Sequence, residues 1–227
     1  IRISYSVDAR PQMEMSLAGD DLFAGKVESL TVNYDEARTW YDVPRAQSDA
    51  QPQANSGYLI LTTSSIVSGS SKLQSFITHK ANRGYNVAVA TEQQWGGGTG
   101  DAAAEAIRSY LKSNYLQRGL HYVLLIGNPN PASGTVPMKM LWPRHNQSTY
   151  QEAPSDYYYA DLTGNWDRDG DGYFGEEDND FGPGGVDRLP EVIVGRIPYY
   201  GSFSDLDSIL QKIMDYETGD YSGAWNR

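Results

Sequence analysis

Tyr122-Val-Leu-Leu-Ile126 is a short run of almost unbroken apolar character. A strand with one wet face alternates apolar and polar residues. A strand that is apolar throughout is dry on both faces, as in the centre of a parallel sheet covered by helices on either side. Three further runs have the same look: Tyr58-Leu-Ile-Leu-Thr62, Asn86-Val-Ala-Val-Ala90 and Glu191-Val-Ile-Val-Gly195. Between them the apolar period lengthens to that of a helix. Leu73, Phe76, Ile77, Lys80 and Ala81 share one face before Gly84. A second helix is expected over 101–117, capped by Asp101, with Ala104, Ile107, Tyr110, Leu111 and Tyr115 inward. A third is expected over 203–217, with Leu206, Ile209, Leu210, Ile213 and Met214 inward. The order β-α-β-α-β-loop-β-α predicts an α/β fold: an open, mostly parallel sheet with helices on both faces. In such sheets function gathers at the carboxyl ends of the strands, here Thr62 to Ser64, Thr91, Gly127, Asn128 and Arg196. The last helix has no strand after it, so more polypeptide is expected to complete the sheet.

Residues 1–57 read differently. Ile1, Ile3, Tyr5 and Val7 alternate with polar residues, as do Leu30, Val32 and Tyr34, and these read as a small β segment. Residues 44–57 are rich in Gln, Ala, Ser and Pro and read as a linker. The α/β unit then occupies 58–227. Within it the connection from Gly127 to Pro190 is longer than ordinary loops, which marks it as functional or organised by a metal.

Charge singles out one part of that connection. The chain carries 18 basic and 29 acidic residues, a net charge of −11. Residues 161–187 hold nine acids (Asp161, Asp167, Asp169, Asp171, Glu176, Glu177, Asp178, Asp180, Asp187) and one base, Arg168, for a local balance of −8. At the centre stands Asp167-Arg-Asp169-Gly-Asp171-Gly172-Tyr173-Phe174-Gly175-Glu176-Glu177-Asp178. Oxygen donors fall at the first, third, fifth and twelfth places of a calcium loop, with Gly172 at the sharp turn and apolar Phe174 after it. The expected ligands are Asp167, Asp169, Asp171, the Tyr173 carbonyl and Asp178, with Glu176, Glu177 and Asp180 as possible substitutes. Without a cation, so many carboxylates would repel one another. Pro, Gly and Trp crowd both flanks, so a lone structural calcium loop is expected rather than a paired helix–loop–helix sensor.

Other chemistry is thinner. There is no Cys, which excludes disulfides, zinc thiolates and a cysteine nucleophile within these residues. The acidic balance and the lack of a basic stripe argue against nucleic acid. No apolar run approaches a membrane span. Abundant Tyr, Gly, Asn, Ser and Thr, together with the calcium loop, favour an extracellular setting, where millimolar calcium fills even a weak site. Gly96-Gly-Gly-Thr-Gly100 precedes a helix but lacks the Lys-Ser/Thr ending of a phosphate loop, and reads as a flexible lead-in. His79, His121 and His145 lack metal-ligand spacing, and His145, in a polar loop, is the one to test. There is no Gly-x-Ser-x-Gly elbow, and Ser64, Ser65 and Ser68 read as turn formers. A glycosidase-type carboxylate pair is not singled out. Asp156 beside Tyr157-Tyr-Tyr159 is expected to tie the long connection down.

Taken in order, Tyr58-Leu-Ile-Leu-Thr62, Phe76-Ile-Thr-His-Lys-Ala-Asn-Arg-Gly-Tyr85, Ala106 to Tyr115, Tyr122-Val-Leu-Leu-Ile-Gly127, Ser155-Asp156-Tyr-Tyr-Tyr-Ala160 and Pro190-Glu-Val-Ile-Val-Gly195-Arg196 resemble the gingipain family of cysteine peptidases over residues 58–227. The resemblance implies a caspase-like sheet, secretion, calcium sites and endopeptidase activity on protein or peptide substrates. It also implies a catalytic His and then Cys beyond the helix ending near Glu217, in a second half of the same precursor. No histidine here has a His-Gly context, so no catalytic residue carries over. The acidic loop lies between the Asp156 motif and the fourth strand as an insertion, and its ligand set comes from its own spacing. The alternative reading is a non-catalytic, calcium-stabilised binding or adhesion module; a glycan hydrolase using the acidic loop ranks lower.

Overall fold

The computed structural model describes residues 56–144 and 152–219. The expected strands and linker of residues 1–57 fall almost wholly outside that range, as does His145. The described chain runs β1 (Gly57–Leu61), α1 (Ser64–Gly69), α2 (Leu73–Asn82), β2 (Asn86–Ala90), α3 (Glu92–Trp95), α4 (Gly100–Asn114), β3 (Leu120–Gly127), β4 (Lys139–Leu141) and β5 (Ala153–Ser155). A 3₁₀ turn (Tyr157–Tyr159), β6 (Ile193–Pro198) and α5 (Phe203–Thr218) complete it.

Strands β1, β2, β3 and β6 form one parallel sheet in the order β2-β1-β3-β6. Helices cover both its faces, the mixed α/β arrangement expected of a caspase-like fold. The two faces follow directly from the pleat, because successive side chains point to opposite sides. Leu59, Leu61, Val123 and Leu125 pack on one side with Ala103, Ala104, Ile107 and Leu111 of α4 and with Trp95. Ile60, Leu124 and Ile126 pack on the other with Ile66 of α1, Leu73 and Phe76 of α2, and Leu206, Leu210 and Met214 of α5. Apolar character at every position of Tyr122-Val-Leu-Leu-Ile126 thus reflects two cores meeting at one strand.

Several local expectations shift. β6 begins at Ile193 rather than Glu191. Glu191 instead accepts a hydrogen bond from the Leu162 N–H at 2.6 Å, while its own N–H donates to the Ala160 carbonyl. α4 is entered through Thr99, and Asp101 is not its cap. Asp101 lies in the first turn, where it meets Lys139 at 2.7 Å. Ile209 does not face inward; it is 37 % exposed on α5. Ser64, Ser65 and Ser68 are not turn formers but residues of α1, whose cap is the Thr63 hydroxyl. Gly96 takes φ +108° to end α3, as a left-handed cap that L side chains resist.

α2 and α5 are pinned twice. At one end the Asp207 carboxylate accepts from the hydroxyl of Ser70, the N–H and hydroxyl of Ser71 and the N–H of Lys72. At the other, Glu217 meets His79 at 2.8 Å and Lys80 at 2.5 Å. Burial pushes the Glu217 carboxyl up, but the hydrogen bonds from Lys80 and His79 outweigh it and hold it below the usual range. His79 is therefore a hydrogen-bond partner of Glu217 within the scaffold.

Candidate metal centre

The connection between β3 and β6 is fastened before it reaches the acidic loop. Arg196 of β6 grips Asp156 with two bonds of 2.7 Å, and its remaining amine donates to the Val136 carbonyl at 2.6 Å. Asp156 does tie the connection down, through a planar two-point contact that Arg alone makes well. The Tyr159 hydroxyl donates to the Pro137 carbonyl at 2.6 Å, and Tyr158 donates to Glu105 at 2.7 Å. Burial raises both phenols well above the ordinary range, so they stay protonated donors.

Arg108 of α4 then reaches under the chain. It donates to the carbonyls of Tyr158 at 2.9 Å, Asp161 at 2.9 Å and Gly164 at 2.8 Å, and its guanidinium stacks over the Tyr158 ring. Beside it, buried Lys139 of β4 bonds Asp101 and Glu105 and sits 3.6 Å above the Phe174 ring. A desolvated cation over an aromatic face is a strong contact of its kind. Phe174 is thereby seated through its face and lies edge-on to Tyr158, which in turn meets Trp166 edge-on.

Two carboxylates close the base. Asp161, fully buried, accepts from the Gly164 N–H at 2.8 Å, and Glu191 holds the Leu162 N–H and the Thr163 hydroxyl. Burial pushes both carboxyls up, with the backbone donors pulling the other way. Asp180, also fully buried, accepts from the N–H groups of Arg168 at 2.6 Å, Gly175 at 2.8 Å and Glu176 at 3.0 Å.

Above this base the acidic turn is drawn together. The Gly172 N–H donates to Asp167 at 3.2 Å and the Tyr173 N–H to Asp171 at 2.8 Å. Gly172 adopts φ +86°, the backbone state that the tight turn demands and that a Cβ resists. The result is two carboxylate groups. Oxygens of Asp167, Asp169 and Asp180 lie within 4.8 Å of one another, and so do oxygens of Asp169, Asp171 and Glu176. Asp169 belongs to both. Of the ligands expected from spacing, Asp169 is thus brought to Asp167 in one group and to Asp171 in the other. Tyr173 lies in the same turn, its ring edge-on to Trp142 at 5.5 Å. Asp178 is exposed and joins neither group; the carboxylates facing the early aspartates from the far side are Glu176 and Asp180. All the donors are hard oxygens, the set that suits calcium and not a thiolate- or imidazole-seeking metal.

Sequence reasoning missed Arg108 and Lys139. Arg108 had a signal: it falls on the inward stripe of α4, four residues after Ala104, where a cation must find buried partners. Lys139 had none, since its partners lie in α4 and in the loop.

The carboxyl ends of the parallel strands are occupied by structural contacts. The Thr62 hydroxyl donates to the Ile126 carbonyl at 2.9 Å, and Trp95 donates to the Thr62 carbonyl at 3.1 Å. Ser64 bonds the Glu92 carboxylate through both its N–H and its hydroxyl. Among the described residues no helix is long and apolar enough to cross a membrane.

The family model described as Peptidase family C25 matches residues 51–227. Neither a curated protein nor a solved structure matches the chain. The match spans the whole parallel sheet, both helical layers and the acidic connection, well over half of the sequence, and the chain belongs to peptidase family C25.

Proposed function

We propose that these 227 residues are the N-terminal scaffold of a secreted, calcium-stabilised cysteine endopeptidase, whose thiolate and imidazole come from polypeptide outside them. The observation that carries this reading is family membership in a chain without Cys, with the strand ends spent on structural hydrogen bonds. In such an enzyme a thiolate attacks the scissile carbonyl and a His moves the proton. This portion supplies the rigid sheet and one wall of a cleft for protein or peptide substrates. Asp167, Asp169, Asp171, Glu176 and Asp180 would hold a calcium ion, which cancels their mutual repulsion and stiffens the connection. Exposed carboxylates in that set favour a modest affinity and hence the calcium-rich extracellular space.

The test uses the longer polypeptide that contains this chain. A peptidyl inhibitor with a basic residue at its reactive end should label it covalently at a Cys when calcium is present. Absence of labelling in calcium-replete, folded protein favours the second reading, a non-catalytic calcium-stabilised binding module on the same scaffold. Calcium itself is tested on the 227-residue chain. A free concentration roughly 100 times the dissociation constant should add about 2.7 kcal/mol of stability. Asp169→Ala should abolish that gain, and thermal unfolding that ignores both calcium and chelator would remove the cation from the reading.

A further inference from the structure

We propose that Asp169-Gly170 is a site of spontaneous succinimide formation and isomerisation to isoaspartate, and that the folded loop directs this chemistry to Asp169 rather than Asp171. The chain holds two Asp-Gly dipeptides, at 169–170 and 171–172, and no Asn-Gly dipeptide. Glycine leaves the backbone nitrogen after the aspartate unshielded by a Cβ. Both glycines have positive φ, +77° and +86°, and nothing lies within 4 Å of where a Cβ would stand on either. Both aspartates are exposed. By sequence alone the two sites are equivalent.

Hydrogen bonding separates them. The nucleophile at the second site, the Gly172 nitrogen, is held by the Asp167 carboxylate at 3.2 Å. Asp171 Oδ1 accepts from the Tyr173 N–H at 2.8 Å, a contact of the same kind as the one Asp169 makes, so the carboxylates do not separate the sites and the nitrogens do. At the first site the Gly170 N–H donates to no protein group among the described residues. The Asp169 carboxylate accepts from the Asn179 side-chain amide at 2.9 Å, a contact that draws electron density from Cγ.

The step balances without any partner. The Gly170 nitrogen attacks Cγ of protonated Asp169, the N–Cγ bond forms, and the carboxyl C–O bond breaks. The oxygen leaves as water with the amide proton, giving a five-membered imide. A second water opens the imide. Opening at the main-chain carbonyl carbon leaves the chain running through Cγ, one methylene longer, with the carboxylate on Cα. Asp169 is the residue common to both oxygen groups, so this displacement would dismantle the candidate cation site. The choice of Asp169 over Asp171 does not depend on cation binding.

The experiment ages the 227-residue chain in chelator at mildly acidic pH and physiological temperature, then maps its peptides. Isoaspartate is read by electron-based fragmentation and by labelling with an isoaspartyl methyltransferase. Isoaspartate at residue 169 severalfold above residue 171, preceded by a species lacking one water, is the expected result. Asp169→Glu should abolish the signal at that site, since a six-membered imide closes far more slowly. Asp169→Asn should raise it severalfold, because ammonia replaces water as the leaving group. Equal isomerisation at both sites, an excess at Asp171, or none at Asp169 overturns the proposal.

Discussion

In β1 and β3 the buried side chains are Leu59, Ile60, Leu61, Leu120, Val123, Leu124, Leu125 and Ile126. In the connection from Asp156 to Glu191 the backbone is held by Asp161 and Asp180, and by Arg108 and Lys139 reaching in from α4 and β4, all fully or nearly fully buried. The sheet gains stability from area removed from water, which depends little on pH or salt. The connection depends on ionised groups whose removal from water is costly unless every partner is in place. One protein therefore contains a region stabilised by hydrocarbon burial and another stabilised by matched charges and backbone hydrogen bonds. They should fail under different conditions.

The largest expected effect tests the hydrocarbon half. Phe76 of α2 is 1 % exposed in the core it shares with α5 and the sheet. Phe76→Ala should cost about 3–5 kcal/mol, seen as a lower midpoint in denaturant unfolding at unchanged m-value. The loss should be the same with calcium or chelator, and a loss that calcium rescues would erase the distinction between the two regions.

Arg108→Met probes the polar half with its volume largely kept. Three carbonyls lose a charged donor, and the expected cost is about 1.5–3 kcal/mol. Amide exchange should rise in residues 158–187 while β1 and β3 stay protected, because regions of one protein open separately. Uniform loss of protection across the sheet would show that the connection is not a separate unit.

The smallest effect is on pH. Asp161 and Glu191 have carboxyls raised by burial, so their ionised form is penalised in the fold. In chelator, the base of the connection should tighten slightly as pH falls from neutral through those raised values, with no further gain below the unfolded values. Glu217 and Asp207 work in the opposite sense. Hydrogen bonds hold them low against burial, so the stability they lend is present above the unfolded values and lost as pH falls through the lowered ones. Exchange rates compared between residues 161–165 and the α2–α5 contact should therefore move in opposite directions on acidification. Parallel movement would refute the assignment.

The elements legible in the sequence were those written in hydrocarbon. Val123 and Leu124 read as facing two cores, and they do. Boundaries were less legible: Glu191 looks like a strand residue, yet its carboxylate is spent on Leu162. Ile209 has helical spacing for an inward face, but α5 is rotated so that Leu206, Leu210 and Met214 take the core. The acidic turn was legible as a carboxylate concentration with a glycine at its bend. Its inner members were not, because Glu176 and Asp180 are selected by how the chain doubles back after Phe174.

From sequence alone come the order of strands and helices, the two-faced central strand, the focused negative charge and the family resemblance. Each depends on residues close together in the chain or on composition, which local physical chemistry reads directly. Only the tertiary structure decides that Arg108 and Lys139 lie under the acidic connection, that Asp156 answers Arg196 across forty residues, and that Asp169 joins both oxygen groups. A charged side chain acquires its role from its partners, and those partners are brought together only when the sheet has formed.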